Sequence, residues 1–402
     1  MIPLINASLI EKTRSGSAIR AMFEEGKRLA SLYGTEYVYD FSLGNPSVPA
    51  PDSVKTALAD IVENTEPLAL HGYMSNAGYE STRKAVADDL NRRFGTAFSA
   101  GNVIMTVGAA GGLNVILRTL LNPGDEVIVF APFFLEYGNY VENYGGVLKI
   151  VDTGEDFLPD SEALYNAISG RTKAVIINNP NNPTGAVYDE ACIKRLAEAL
   201  DRRGRELGES IYLISDEPYR ELCYDGAEVP FLTKYYRNTI VSYSWSKSLS
   251  LPGERIGYLL IPSECDEASL IYDAAVIANR ILGFVNAPAL QQRLVERCLG
   301  EETDLEYYDY NRKALYKGLT DIGFECVYPR GAFYLWMKSP EKDDRAFCER
   351  AKKYNILLVP GSGFKRSGYV RLAYCVDHAM IMRSLDAFKK LFTEYDNYGK
   401  RN

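Results

Sequence analysis

From about residue 100 to 262 the chain alternates short apolar runs with longer stretches of helical period. The runs are VIMTV (103–107), EVIVF (126–130), VLKIV (147–151), AVIIN (174–178), IYLIS (211–215), TIVSY (239–243) and YLLI (258–261). They are rich in β-branched residues and lack strict alternation, which predicts strands covered on both faces. EACIKRLAEALDRRGREL (190–207) is the clearest of the helical stretches between them. This order predicts an α/β fold with a large, mostly parallel sheet flanked by helices. Beyond residue 290 the pattern changes. A long helical stretch (288–322) leads to FYLWM (333–337), ILLV (356–359) and YVRLAYC (369–375), then a closing helix near 379–394. That is the pattern of a smaller α+β domain, to which the first 45 residues, with a helix near 17–33, are assigned. The expected division is 46–289 for the large domain and 1–45 with 290–402 for the small one.

Composition narrows the chemistry. Lys and Arg number 45 against 53 Asp and Glu, a net charge of −8. No basic face is offered, so neither nucleic acid nor an anionic membrane is an expected partner. No apolar run reaches the ~18 residues of a membrane span. The start, MIPLINASLIEKTR, lacks a basic segment followed by an apolar one, so a cytoplasmic location is expected. His71 and His378 are the only histidines, which leaves little for a histidine metal centre or a Ser-His-Asp triad. The seven cysteines are widely spaced without a C-x-x-C pair, and are expected as reduced, packed thiols with no metal. Chemistry without histidine, metal or redox sulfur points to a lysine and an organic cofactor.

The unusual residues collect just after the strand-like runs, where open α/β sheets bind ligands. SYSWSKSLSLPGERIGY (242–258) brings Ser244, Lys247 and Arg255 close together in sequence. A lysine in an aromatic, apolar setting can attack a carbonyl as a free amine. A guanidinium with a hydroxyl suits a phosphate. Alone, the segment reads more readily as a solvated lysine on a loop and an arginine in a surface ion pair. NNPNNPTG (178–185) and SDEPYRE (215–221) follow two further runs, with Asn182–Pro183 a candidate cis bond and Asp216 at a strand end. Taken singly these read as a turn and a helix cap. VGAAGGL (107–113) opens a helix with small residues whose amides can face an anion. It is not a dinucleotide fingerprint, since Ala110 stands where the second glycine belongs.

Jointly, and in order with FSLGNPSVPAP (41–51), GYMSNAG (72–78), APFFLEY (131–137) and YVRLAY (369–374), these segments resemble the class I/II pyridoxal-phosphate-dependent aminotransferases, the aspartate-aminotransferase-like branch. The resemblance implies amino transfer between an L-amino acid and a 2-oxo acid, with Lys247 forming an imine to the cofactor. It implies Asp216 beneath the pyridine nitrogen, and Tyr219 and Asn182 on the phenolic oxygen. Ser244, Arg255, Ala109 and Ala110 would cradle the phosphate, and Phe134 would stack on the ring where Trp or Tyr is common. Tyr73 would reach the phosphate of a neighbouring subunit, implying a homodimer with shared sites. Arg371 would clamp the substrate α-carboxylate, helped by Asn182 and Gly44. One aspartate-specific branch has Lys where Ala110 stands, so a distal carboxylate would need another cation; Arg280 is the candidate. A carbon–sulfur β-lyase on the same fold would use the same residues and is the alternative.

Overall fold

The computed structural model describes residues 5–6, 9–10, 12–13 and 18–399. In chain order its strands are β1 (Tyr39–Asp40), β2 (Val103–Thr106), β3 (Glu126–Ala131), β4 (Val147–Asp152), β5 (Thr172–Asn178), β6 (Tyr212–Asp216), β7 (Thr239–Ser244), β8 (Gly257–Leu260), β9 (Cys326–Val327), β10 (Tyr334–Lys338), β11 (Ile356–Leu357), β12 (Val359–Pro360) and β13 (Tyr369–Ala373). Two compact units emerge: residues 46–307 with 330–332, and residues 1–45, 308–329 and 333–402.

In the larger unit the seven expected runs form one sheet in the order β2-β8-β7-β6-β5-β3-β4. The pairs β3–β4, β3–β5, β5–β6 and β6–β7 are parallel, whereas β8 runs antiparallel to both of its neighbours. A parallel partner needs a long crossover; β8 instead returns directly from β7 through residues 245–256. Because β8 reverses, the carboxyl ends of β2, β3, β5, β6 and β7 share one edge of the sheet.

The unbroken apolar runs are explained by cover on both faces. Ile176, Ile214 and Val129 pack with the helices Gly108–Leu120 and Ala268–Ile281, while their chain neighbours Val175, Leu213 and Ile128 pack with Glu190–Leu207. A third cluster joins Val103, Met105, Val241 and Tyr258 to Val54, Ile61, Val86 and Leu294. Residues 290–307, expected in the small domain, belong to this larger unit because Leu294 and Val295 are buried in that third cluster. The helical stretch 288–322 is correspondingly two helices, Ala289–Arg297 and Leu305–Ile322. Gly300, at φ +86°, lies in the break, a conformation that suits glycine.

The smaller unit holds the sheet β12-β13-β10-β9, antiparallel throughout, and the parallel pair β1–β11. The run ILLV divides between them: Ile356–Leu357 pairs with β1 and Val359–Pro360 with β13. The helices Ala18–Tyr33, Asp344–Ala351 and His378–Gly399 complete the unit.

Candidate active site

Strand register brings the sequence motifs together. Asn178 at the end of β5 is level with Asp216 at the end of β6, and Asp216 with Ser242 on β7. Gly257 is paired with both Ser244 and Thr106, so the turn after β2 meets the β7–β8 return there. A Cβ on Gly257 would strike the Tyr243 carbonyl and lie 3.0 Å from the Gly108 Cα. A side chain at either glycine would therefore push the two segments apart. Gly108 itself has φ +67°, and a Cβ there would come within 2.8 Å of the Arg255 guanidinium.

Asp216 is buried, 5% exposed. Its Oδ2 accepts a hydrogen bond from the Tyr137 hydroxyl at 2.5 Å, while Oδ1 has no partner among the described residues. Burial pushes the carboxyl up to about 7, against the opposing pull of the Tyr137 hydrogen bond. The same burial, with the neighbouring carboxylate, drives the Tyr137 phenol well above its ordinary range, so it remains a donor. Asn178 binds the loop to this strand end: its Nδ2 donates to the Asp216 carbonyl at 2.9 Å and its Oδ1 accepts from the Asn182 amide at 2.7 Å. Asn182 and Tyr219 are both buried beside it in sequence, and Asn182–Pro183 is cis, as are Asn179–Pro180 and Ala131–Pro132.

Lys247 is half-buried on the short helix Trp245–Ser248. Ser244 caps that helix, accepting from the Ser246 amide at 3.1 Å, and its hydroxyl meets that of Ser246 at 2.6 Å. Arg255 closes the segment in a left-handed conformation, φ +51°, a strained choice for a residue with a side chain. Its exposed guanidinium donates to the Pro252 carbonyl at 3.1 Å. Ala109 and Ala110 stand in the first turn of the helix Gly108–Leu120, where amides lack intrahelical partners. Ser242 anchors that turn, donating to the Ala109 carbonyl at 3.1 Å. Phe134 is half-buried and meets the edge of Tyr137, with ring centroids 5.6 Å apart.

Lys247, Asp216, Tyr219, Asn182, Ser244, Arg255, Ala109, Ala110 and Phe134 thus all lie in the larger unit, at or just beyond one edge of its sheet. Tyr73 is 94% exposed and Arg280 is exposed on the last turn of Ala268–Ile281. Gly44 and Arg371 belong to the smaller unit. There Arg371, buried on β13, donates from Nη2 to the Ser42 carbonyl at 2.6 Å and lies over the Tyr334 ring at 4.4 Å. A side chain at Gly44 would collide with the Tyr334 phenol.

Sequence reading did not find Tyr137 or Asn178. Tyr137 lies one helical turn beyond Phe134, and that spacing was its only signal. Asn178 was hidden as the first residue of a motif whose later asparagine drew the assignment.

The donor set fits pyridoxal phosphate. The orphaned oxygen of Asp216 is a buried polar atom open to a ligand's donor. The glycine-lined turn, two serine hydroxyls and a guanidinium together suit a phosphate.

Residues 36–388 match the family model described as aminotransferase class I and II. The aspartate/prephenate aminotransferase of Thermus thermophilus is 33% identical over 87% of this chain and 89% of its own. The aspartate aminotransferase of Pyrococcus horikoshii is 30% identical over 93% and 94%. Among solved structures, an aminotransferase from Eubacterium rectale superposes with a TM-score of 0.95 at 47% identity, covering 98% of this chain and 99% of that one. The T. thermophilus aspartate aminotransferase with maleate gives 0.83 at 28% identity, covering 97% and 100%. These relatives carry transaminase names, which does not favour the β-lyase alternative. The sheet order, the strand-end motifs and the extent of these matches agree: the chain belongs to the class I and II aminotransferases and is an enzyme that transfers amino groups between amino acids and 2-oxo acids.

Proposed function

We propose that this chain is a pyridoxal-phosphate enzyme whose cofactor is held by Lys247 and Asp216 in the larger unit, with substrate carboxylate bound by Arg371. The observation that carries the reading is Asp216: a buried carboxylate at a strand end with one oxygen held by Tyr137 and the other unpartnered. An ionised carboxylate in such a place needs a cation or further donors. A protonated ring nitrogen meets that need. When bound, pyridoxal phosphate supplies an aldehyde for the lysine and a ring that withdraws electrons from the substrate Cα–H bond. Asp216 would face the ring nitrogen, where a carboxylate favours a proton. The Lys247 amine would hold and return a proton at the substrate Cα. Tyr219 and Asn182 would bind the phenolic oxygen, and Phe134 would lie against the ring. Ser244, Arg255 and the amides of Ala109 and Ala110 would bind the phosphate. The family resemblance assigns Gly44 and Asn182 to the α-carboxylate as well.

The working form is proposed as a homodimer. The loop carrying Tyr73 is tied to the segment around Arg280: Asn279 donates to the Asn76 carbonyl at 3.1 Å, Asn286 to the Ser75 carbonyl at 2.8 Å, and Asn76 to the Val285 carbonyl at 3.0 Å. Tyr73, Leu68, Ile277 and Ile281 are exposed on and near these tied segments. So much open apolar surface beside a tethered loop suits a second copy of the chain. The names and the maleate complex of the relatives favour a dicarboxylic donor or acceptor. Arg280 is exposed on the last turn of its helix, which leaves it available to the partner's substrate. Seven widely spaced cysteines without a C-x-x-C pair favour a reducing, cytoplasmic setting.

Lys247→Ala tests the reading. Turnover should fall by roughly two to four orders of magnitude or more, since covalent attachment and proton transfer go together. Folding and phosphate-dependent cofactor binding should survive. Near-normal transamination by this variant would overturn the assignment.

A further inference from the structure

We propose that Tyr243 is a positioning residue for Lys247, its hydroxyl holding the lysine-bearing turn from behind through Ser248. The inference rests on Lys247 being the cofactor lysine. The helix Trp245–Ser248 has four residues, too few to fix its own shape. Its orientation must come from contacts at its two ends. At the first end Ser244 caps it. At the second, the Ser248 carbonyl accepts from the Thr303 amide at 2.9 Å, and the Ser248 hydroxyl lies 2.8 Å from the Tyr243 hydroxyl.

Strand alternation separates the two jobs of β7. Ser242 faces the turn at Ala109, and Tyr243 points to the opposite face of the sheet. There its hydroxyl is 3.0 Å from Glu221 Oε2, and Glu221 Oε1 is 3.0 Å from an Arg93 nitrogen. Glu221 thus accepts from Arg93 through one oxygen and from Tyr243 through the other. A phenol carries one proton, which Tyr243 gives to Glu221. Ser248 must therefore donate to Tyr243, and every hydrogen bond in the chain has a fixed direction. Burial and the charge of Glu221 raise the Tyr243 phenol well above its ordinary range, so it keeps that proton. The ring is clamped as well, stacked on Tyr258 at 5.0 Å and edge-on to Trp245 at 5.4 Å.

Beside these hydrogen bonds lies a half-open cleft of about 230 Å³, lined by Arg93, Glu221, Tyr243, Ser248, Tyr258 and Glu302, among others. An open cleft supplies no fixed atoms to hold a neighbouring turn. On that side the turn leans on the hydrogen bonds, with the Tyr243 hydroxyl as their hub.

Tyr243→Phe keeps the ring and removes the hub. In the reconstituted holoenzyme the first-order rate of the amino-acid half-reaction should drop about tenfold, the equivalent of one buried hydrogen bond. The amino-acid KM should stay within about twofold, because groups that bind substrate are untouched. The pH midpoint of the lysine-linked cofactor's absorbance should move by about half a unit or more, a displacement that a general loss of stability would not produce. Ser248→Ala should give the same displacement, and the double variant should be no worse than either single one. An unchanged midpoint and rate in folded Tyr243→Phe, or losses that add in the double variant, would overturn the proposal. Should Tyr243→Phe fail to fold, Ser248→Ala decides alone by the same two readings. Borohydride reduction followed by peptide mapping checks the premise separately, since cofactor fixed to another residue removes Lys247 whatever Tyr243 does.

Discussion

Tyr137→Phe isolates the control of Asp216. The substitution deletes the hydroxyl that donates to Oδ2 at 2.5 Å and keeps the ring that packs edge-on to Phe134. A hydrogen bond to a charged acceptor contributes about 1.5–3 kcal/mol. At about 1.36 kcal/mol per pH unit, its loss should raise the Asp216 carboxyl by roughly one to two pH units. In the cofactor-free protein that carboxyl already sits at about 7, above its ordinary 3.8, because it is buried. A raised carboxyl stabilises the fold fully below the unfolded value, and this contribution fades as pH climbs to the folded value. The rise from 3.8 to about 7 corresponds to on the order of 4 kcal/mol of stability lost between about pH 4 and about pH 7. Thermal unfolding of cofactor-free protein across pH 4–9 reads this directly. Stability of the parent should decline and level off near pH 7; that of Tyr137→Phe should decline further, over roughly one to two more pH units. Asp216→Asn should remove this component from the profile. Parent and Tyr137→Phe profiles that level off together would refute the coupling of phenol and carboxylate.

Asp216→Ala should slow the half-reaction with pre-bound cofactor far more than it weakens cofactor binding; stopped-flow absorbance compares the two, and an unchanged rate removes Asp216 from the role of ring partner. If Tyr73 crosses to a partner's phosphate, mixing inactive Tyr73→Ala with inactive Lys247→Ala should restore activity through hybrid dimers with one intact site, whereas a monomer by light scattering at micromolar concentration excludes this. Arg280→Ala should reduce kcat/KM for dicarboxylates by roughly 2–4 kcal/mol of transition-state binding and spare alanine or aromatic donors. Equal loss for all donors, or none, would reject Arg280 as the distal clamp.

The strands of the large sheet were legible because helices cover both faces, so each appears as an unbroken apolar run. The direction of β8 was not, since YLLI is the same run whichever way it lies. β1 and β9, two residues each, are too short to carry a period. The break at Gly300 was obscured because Cys298 and Leu299 continue the apolar pattern of the helix before it. In the proposed site, Lys247, Asp216 and Asn182 could be singled out because their motifs follow strands. Tyr137 and Tyr243 could not, because their partners lie far away in sequence: Asp216 for the first, Glu221 and then Arg93 for the second. Such partnerships are made by the fold, and local composition holds no trace of them.

The direct return from β7 to β8 has a consequence for how this protein can vary. Residues 245–256 form a closed loop pinned at its base by the pairing of Ser244 with Gly257. Lys247 stands near one foot of the loop and Arg255 near the other. The spacing between amine and guanidinium therefore depends on the length of this loop as well as on the contacts that hold its lysine-bearing turn, as on a gauge with fixed jaws. One residue inserted here would reset that distance. A similar insertion in the exposed turn at Glu155 and Asp156 would leave it untouched. The fold thus confines intolerance to length change within a short interval, and a library of insertions scored for lysine-bound cofactor should map that interval with sharp edges at Ser244 and Gly257.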